Sequence, residues 1–136
     1  MSFDFPKTGI NKYVAENIVQ RKDLKDLKVL DCPAGDGRSS YLLKKQGAQV
    51  TSTDLFPEFF EPKDIVCHEV DILKGLPFPD NHFDLAICQE GIEHFPDQLM
   101  VLREFNRVLK PGGELLITTP NISHLRAKLS YFFVES

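Results

Sequence analysis

The chain has 136 residues, 42% of them hydrophobic and 26% charged with both signs mixed, for a formal net charge of −4; this fits one globular domain with its own core and argues against a general polyanion binder. Three cysteines, Cys32, Cys67 and Cys88, fall in or beside expected strands and form no C-x-x-C pair, so free core thiols in a reducing compartment are expected. No apolar run approaches the ~20 residues of a membrane span, and the N-terminus lacks the layout of a secretion signal, so a cytoplasmic protein is expected.

In chain order, residues 1–9 read as a lead-in arm and residues 10–136 as a single domain. Ile10, Tyr13, Val14, Asn17 and Ile18 recur at helical spacing, giving an amphipathic helix to about Arg21, followed by a charged link. A strand over about Lys28 to Cys32 leads into Pro33-Ala34-Gly35-Asp36-Gly37, and a helix follows from about Arg38 to Gln46, with Gly47 at its left-handed cap. Strand, glycine turn and helix N-terminus in that order suit a ligand loop: glycines let the backbone approach, and the helix turns unpaired N–H groups to the same place.

The second strand, Gln49 to Thr53, is rich in β-branched residues and ends at Asp54. Leu55 to Pro62 holds one turn of helix at most, because Pro62 cuts it short. A third strand over Ile65 to Val70 ends at Asp71, and a turn-rich loop covers Gly75 to His82. The fourth strand, Phe83 to Cys88, is almost wholly apolar, as a strand covered on both faces must be, and it leads to Gln89-Glu90-Gly91-Ile92-Glu93-His94. Asp97 is a plausible cap for a helix to Leu109, Lys110-Pro111-Gly112-Gly113 stops it, and a fifth strand covers Glu114 to Thr119. Asn121 is expected to cap a last helix with Ile122, Leu125, Leu129 and Phe132 on its apolar side.

Alternating strands and helices predict an α/β domain: a doubly wound, mostly parallel sheet of about five strands with helices on both faces. In such sheets ligands bind at the carboxyl ends of the strands. Asp31, Asp54, Asp71 and Gln89-Glu90 all stand at such ends.

At these residues the chain resembles the front part of a class I S-adenosylmethionine-dependent methyltransferase. The matching pieces are Val29 through Gly37, Asp54, Asp71, Leu76 through Cys88, Glu93-His94 and Lys110 through Ile117, in order and over about nine-tenths of the chain. The resemblance implies S-adenosylmethionine as cofactor. Asp31, Pro33, Ala34, Gly35 and Gly37 would hold its methionine end, Asp31 by accepting from the ammonium. Asp54 would take the ribose hydroxyls and Asp71 the adenine amino group. Leu55, Phe56 and Ile72 would pack on the ring, and Gln89 would lie near the sulfonium. The family has glycine where this chain has Pro33, so the first turn of the loop is expected to differ.

Glu90-x-x-Glu93-His94 admits three readings. Positions i, i+3 and i+4 share a helical face, so two carboxylates and an imidazole can converge on a divalent cation, with His124 as a candidate fourth ligand. Small-RNA 2′-O-methyltransferases and quinone-pathway O-methyltransferases resemble this segment and use such residues for a metal. The second reading gives His94, with Glu93, a general-base or substrate-orienting role; the third is a structural hydrogen bond. His68 and His82 read as surface histidines.

Class I methyltransferases carry two further strands after the fifth, and this chain stops at Ser136. The expectation is therefore a truncated fold with impaired turnover by the 136 residues, and a C-terminal apolar helix open to self-association. The acceptor is expected to be a small molecule or a glycan- or lipid-linked group. Two alternatives stay open: a nicotinamide-dependent oxidoreductase, since a strand, glycine turn and later acid are common to both groups, and a non-catalytic interaction module.

Overall fold

The computed structural model describes residues 24–89 and 91–118 in full and the backbone of 125–128. The expected N-terminal arm and first helix lie outside these residues, as do Glu90, Asn121 and His124.

The elements are β1 (Lys28–Asp31), α1 (Arg38–Lys45), β2 (Gln49–Asp54), β3 (Cys67–Glu69), β4 (Phe83–Gln89), α2 (Gln98–Val108), β5 (Leu109–Thr118) and β6 (Leu125–Lys128), with single 3-10 turns at Pro57–Phe59, Ile72–Lys74 and Ile92–His94. They form one sheet in the order β3-β2-β1-β4-β5-β6. The first five strands are mutually parallel, and β6 runs antiparallel to β5. The order reverses at β1, whose two neighbours are β2 and β4. A crevice therefore opens beside its carboxyl end.

Side-chain alternation along the strands builds two cores, one on each face. Val29, Leu85, Ile87 and Leu116 pack with Leu42 and Leu43 of α1. Leu30, Cys32, Ala86, Cys88, Leu115 and Ile117 pack with Val101, Phe105 and Val108 of α2. The expected three-layer architecture results.

Helix ends follow local chemistry. The Asp97 carboxylate accepts from Met100 N–H at 3.0 Å and caps α2 as expected. Gly47 takes left-handed backbone, φ 93°, just after Gln46 closes α1. No long helix joins β2 to β3, only the 3-10 turn at Pro57–Phe59.

Two expectations are corrected. Lys110 to Gly113 ends the helix but does not precede the strand; it lies inside β5, where a bulge lets Phe83 pair with Leu109 while Leu85 pairs with Glu114. Leu125, expected on a helix, belongs to β6. The open edge of β5 presents unpaired backbone groups, and pairing with them overrides local propensity. The remainder of that helix, with its surface for self-association, lies outside the described residues. No helix among the described residues is long and apolar enough to cross a membrane.

Candidate active site

The carboxyl ends of β1, β2, β3 and β4 and the segments that follow them surround a cleft of about 200 Å³. Its walls are Pro33 with Cys32, the run Asp54-Leu55-Phe56, the run Val70-Asp71-Ile72, and Gly91 with His94 and Phe95. Asp54 at the end of β2 and Asp71 just past β3 thus line an otherwise largely apolar cleft, with Leu55 and Phe56 each about half exposed at its side.

The glycine loop is built from backbone bonds. Ala34 N–H donates to Thr53 O at 2.8 Å, which pins the loop to β2, and Gly37 N–H donates to Ala34 O at 3.0 Å, which closes the turn. Gly35 and Gly37 have φ of 56° and 87°, backbone that suits glycine. A methyl group placed on Gly35 would meet nothing within 4 Å, so open space lies in front of the loop there.

Asp54 ties the loop to the far wall. Its Oδ2 accepts from Gly35 N–H and its Oδ1 from Phe56 N–H, both at 2.8 Å. Each carboxylate oxygen retains capacity for a further bond. Asp71 has a dual position: Oδ1 accepts from Leu73 N–H at 3.0 Å, capping the 3-10 turn, while the residue lines the cleft.

Asp31 does not line the cleft. It lies beneath the loop, 1% exposed, on the α1 face of the sheet. Ser40 Oγ donates to its Oδ2 at 2.6 Å and shares a 2.7 Å bond with Ser52 Oγ. Burial pushes the Asp31 carboxyl up to about 7, the Ser40 bond opposes this, and Asp54 and Asp36 add to it. Gln89 also points to the α1 side, where Ser39 Oγ donates to its Oε1 at 2.6 Å.

Pro33, the departure from the family pattern, is joined to Cys32 by a cis peptide bond. Its ring lies against Gly91, where an added methyl would come within 2.6 Å of Pro33 Cδ and 2.7 Å of Cγ. Proline in the loop thus requires the missing side chain after β4. Nothing in the local pattern of either residue signals this pairing.

Glu93 and His94 share the 3-10 turn Ile92–His94. The His94 side chain is 77% exposed at the mouth of the cleft, and Glu93 is 24% exposed. His94 Nε2 lies 3.6 Å from Glu93 Oε1. Both Glu93 oxygens are buried and accept no hydrogen bond from the described residues. Among those residues no group of three His, Cys, Asp or Glu forms a metal cluster; the third member of the trio, Glu90, and His124 lie outside them. Phe95, Val70 and Gly91, none of them assigned to the cofactor above, also line the cleft of Asp54 and Asp71. Val70 was signalled only by preceding a strand-end acid.

His68 is exposed, while His82 is half-buried with its ring edge-on to Phe83 at 4.7 Å. The three thiols are free. Burial raises Cys32 to about 12, Cys67 to about 11 and Cys88 well above the ordinary thiol range.

A family model described as a methyltransferase domain matches residues 30–117. The chain is 34% identical over 125 residues to the ubiquinone biosynthesis O-methyltransferase of Xanthomonas oryzae pv. oryzae, covering 85% of this chain and 52% of that protein. It spans about half the length of the curated relatives it matches. Among solved structures, an S-adenosylmethionine-dependent methyltransferase from Mesorhizobium loti superimposes with a TM-score of 0.68 at 22% identity, over 82% of this chain and 54% of that one, a likeness of fold. The [4+2]-cyclase SpnF superimposes with a TM-score of 0.63 at 28% identity, over 78% and 42%.

Proposed function

The chain belongs to the class I S-adenosylmethionine-dependent methyltransferases, and from that premise we propose that its cleft binds the adenosyl part of S-adenosylmethionine and that the whole protein methylates a small-molecule acceptor. One observation carries the reading: Asp54, Asp71 and the glycine loop converge on a single cleft with apolar walls at the switch in strand order. Because a fold hosts many activities, as the cyclase neighbour's name illustrates, the donor set carries more weight than the topology.

The residues fit the cofactor. Asp54 has acceptor capacity beyond its two backbone bonds, enough for the ribose hydroxyls. Asp71 would accept from the adenine amino group, and Ile72 with the half-exposed Leu55 and Phe56 would pack on the ring. Ala34, Gly35 and Gly37 bring backbone to the methionine end, with Pro33 as the wall beside it. Asp31, buried and short of compensation, supplies negative charge beneath the ammonium, and Gln89 orients the region near the sulfonium.

When bound, the cofactor supplies an electrophilic methyl on a sulfonium with a neutral thioether as leaving group. The protein's share of catalysis is then chiefly alignment and exclusion of water. The name of the Xanthomonas relative points to an oxygen acceptor. His94 at the mouth of the cleft takes the hydroxyl proton, and the buried Glu93 carboxylate, which accepts no hydrogen bond from the described residues, stabilises the imidazolium that forms. The divalent-metal reading of Glu90, Glu93 and His94 is the runner-up.

The nicotinamide alternative gives Asp71 no role. Titration calorimetry separates the two: S-adenosylhomocysteine is expected to bind and NAD to give no heat, and the reverse result refutes the reading. For His94, a glutamine variant of the full-length protein should lower kcat by ~10²-fold or more while leaving the S-adenosylhomocysteine affinity within a factor of two. An unchanged kcat contradicts the base role.

A further inference from the structure

The connection between β2 and β3 contains an inward-turned ring that the cleft does not use. Of its larger apolar side chains, Leu55, Phe56 and Phe59 are about half exposed or more, whereas Phe60 is half-buried and Pro62 is buried. Phe60 and Pro62 close over Gly37, the N-cap residue just before α1. A methyl group built on Gly37 would fall 2.5 Å from Pro62 Cδ, 2.6 Å from Phe60 Cε2 and 2.8 Å from Phe60 Cδ2. The rings therefore occupy the place a side chain would take.

Backbone bonds run in parallel with this contact. Glu61 N–H donates to Asp36 O at 2.9 Å. The Asp36 carboxylate in turn accepts from Arg38 N–H at 3.0 Å. Further along, Asp54 bridges Gly35 and Phe56. Residues 54–62 are thus stitched to the loop at Gly35, Asp36 and Gly37. Gly37 itself supplies no side-chain cap to α1, so the packing of Phe60 and Pro62 helps define where the first turn of that helix begins.

We propose that Phe60 and Pro62 form a clamp that positions the glycine loop for the amino-acid tail of the ligand. They are positioning residues and do not line the cleft. The inference rests on the S-adenosylmethionine reading above, in which Gly35 and Gly37 meet the methionine end while Asp54, Asp71 and their neighbours meet the adenosine end. A loop held in its binding geometry loses less conformational freedom on association, so loosening the clamp lowers affinity for groups that touch the loop. Affinity for adenosine groups held elsewhere is spared.

The test compares two ligands that share an adenosine and differ in the tail. S-Adenosylhomocysteine carries the amino acid, and 5′-methylthioadenosine lacks it. In Phe60→Ala, calorimetry should show S-adenosylhomocysteine affinity falling tenfold or more and methylthioadenosine affinity changing by less than twofold, with Phe60→Leu recovering most of the loss. Pro62→Ala, which removes the second ring and leaves the Phe60 ring over Gly37 in place, should show the same selective loss at smaller size if Phe60→Ala fails to fold. Equal weakening of both ligands, or of neither, overturns the clamp. If the parent protein binds neither ligand, the cofactor reading itself falls and takes the clamp with it.

Discussion

Replacing Asp31 by Asn should stabilise the protein at alkaline pH and weaken its ligand binding. Asp31 is 1% exposed and lifted by burial from 3.8 to about 7, with Ser40 Oγ as a close donor. Because its folded value lies above the unfolded one, the folded state holds the proton more tightly, and stability attached to this group is lost as pH rises through about 7. At about 1.36 kcal/mol per pH unit, the interval corresponds to about 4 kcal/mol by pH 8. That figure is an upper bound, since relaxation and water entry reduce the cost of a buried charge. Asparagine keeps an oxygen to accept from Ser40 and carries no charge. Urea unfolding of parent and Asp31→Asn at several pH values from 4 to 8 isolates the effect, since the other carboxylates titrate in both proteins. The variant should match the parent near pH 4, gain stability up to about pH 7 and level off by pH 8. Meanwhile S-adenosylhomocysteine should bind about tenfold more weakly, because the ammonium has lost its buried counter-charge. A pH-independent stability difference, or a variant less stable at pH 8, refutes the reasoning.

Other expectations concern the frame around the site. Gly91 has φ −116° and ψ −32°, backbone open to any residue, so Gly91→Ala should cost about 1–3 kcal/mol in chemical denaturation through its collision with Pro33 alone. Arg107 donates to Leu76 O and Phe78 O, each at 2.8 Å, and pairs with Asp80 and Glu104. Arg107→Ala should therefore cost about 2–3 kcal/mol and speed hydrogen exchange in residues 76–80 ahead of the sheet. Alkylation at pH 8 followed by mass spectrometry should label the half-exposed Cys67 first, with Cys32 and Cys88 reacting only on unfolding, since burial keeps both protonated.

Local chemistry made much of the fold legible. Strand-end acids, the Asp97 cap and Gly47 lie where short-range signals are strong, and the apolar β4 run reads as a strand covered on both faces. Asp54 and Asp71 were recognisable as a pair facing one cleft because parallel strands bring their carboxyl ends to one edge of the sheet. What escaped depends on distant partners. Pro33 against Gly91 and Phe60 against Gly37 join residues 58 and 23 positions apart, and no periodicity reports such contacts. β6 formed where helical spacing suggested a helix because an exposed neighbouring edge outweighs four residues of propensity. The Lys110 to Gly113 turn was read as punctuation, yet it is accommodated as a bulge within a strand. Asp31 was readable as a strand-end acid, but its burial beneath Ser40 and Ser52 came from the packing of α1 across the sheet.

The central claim is that Asp54 anchors an adenosyl ligand by its ribose while joining the glycine loop to the cleft. Calorimetric titration of S-adenosylhomocysteine into the parent and Asp54→Ala tests it most directly. Loss of two charge-assisted hydrogen bonds should weaken binding by about 10²- to 10³-fold, with circular dichroism showing the fold retained. Binding by Asp54→Ala within threefold of the parent would contradict the account.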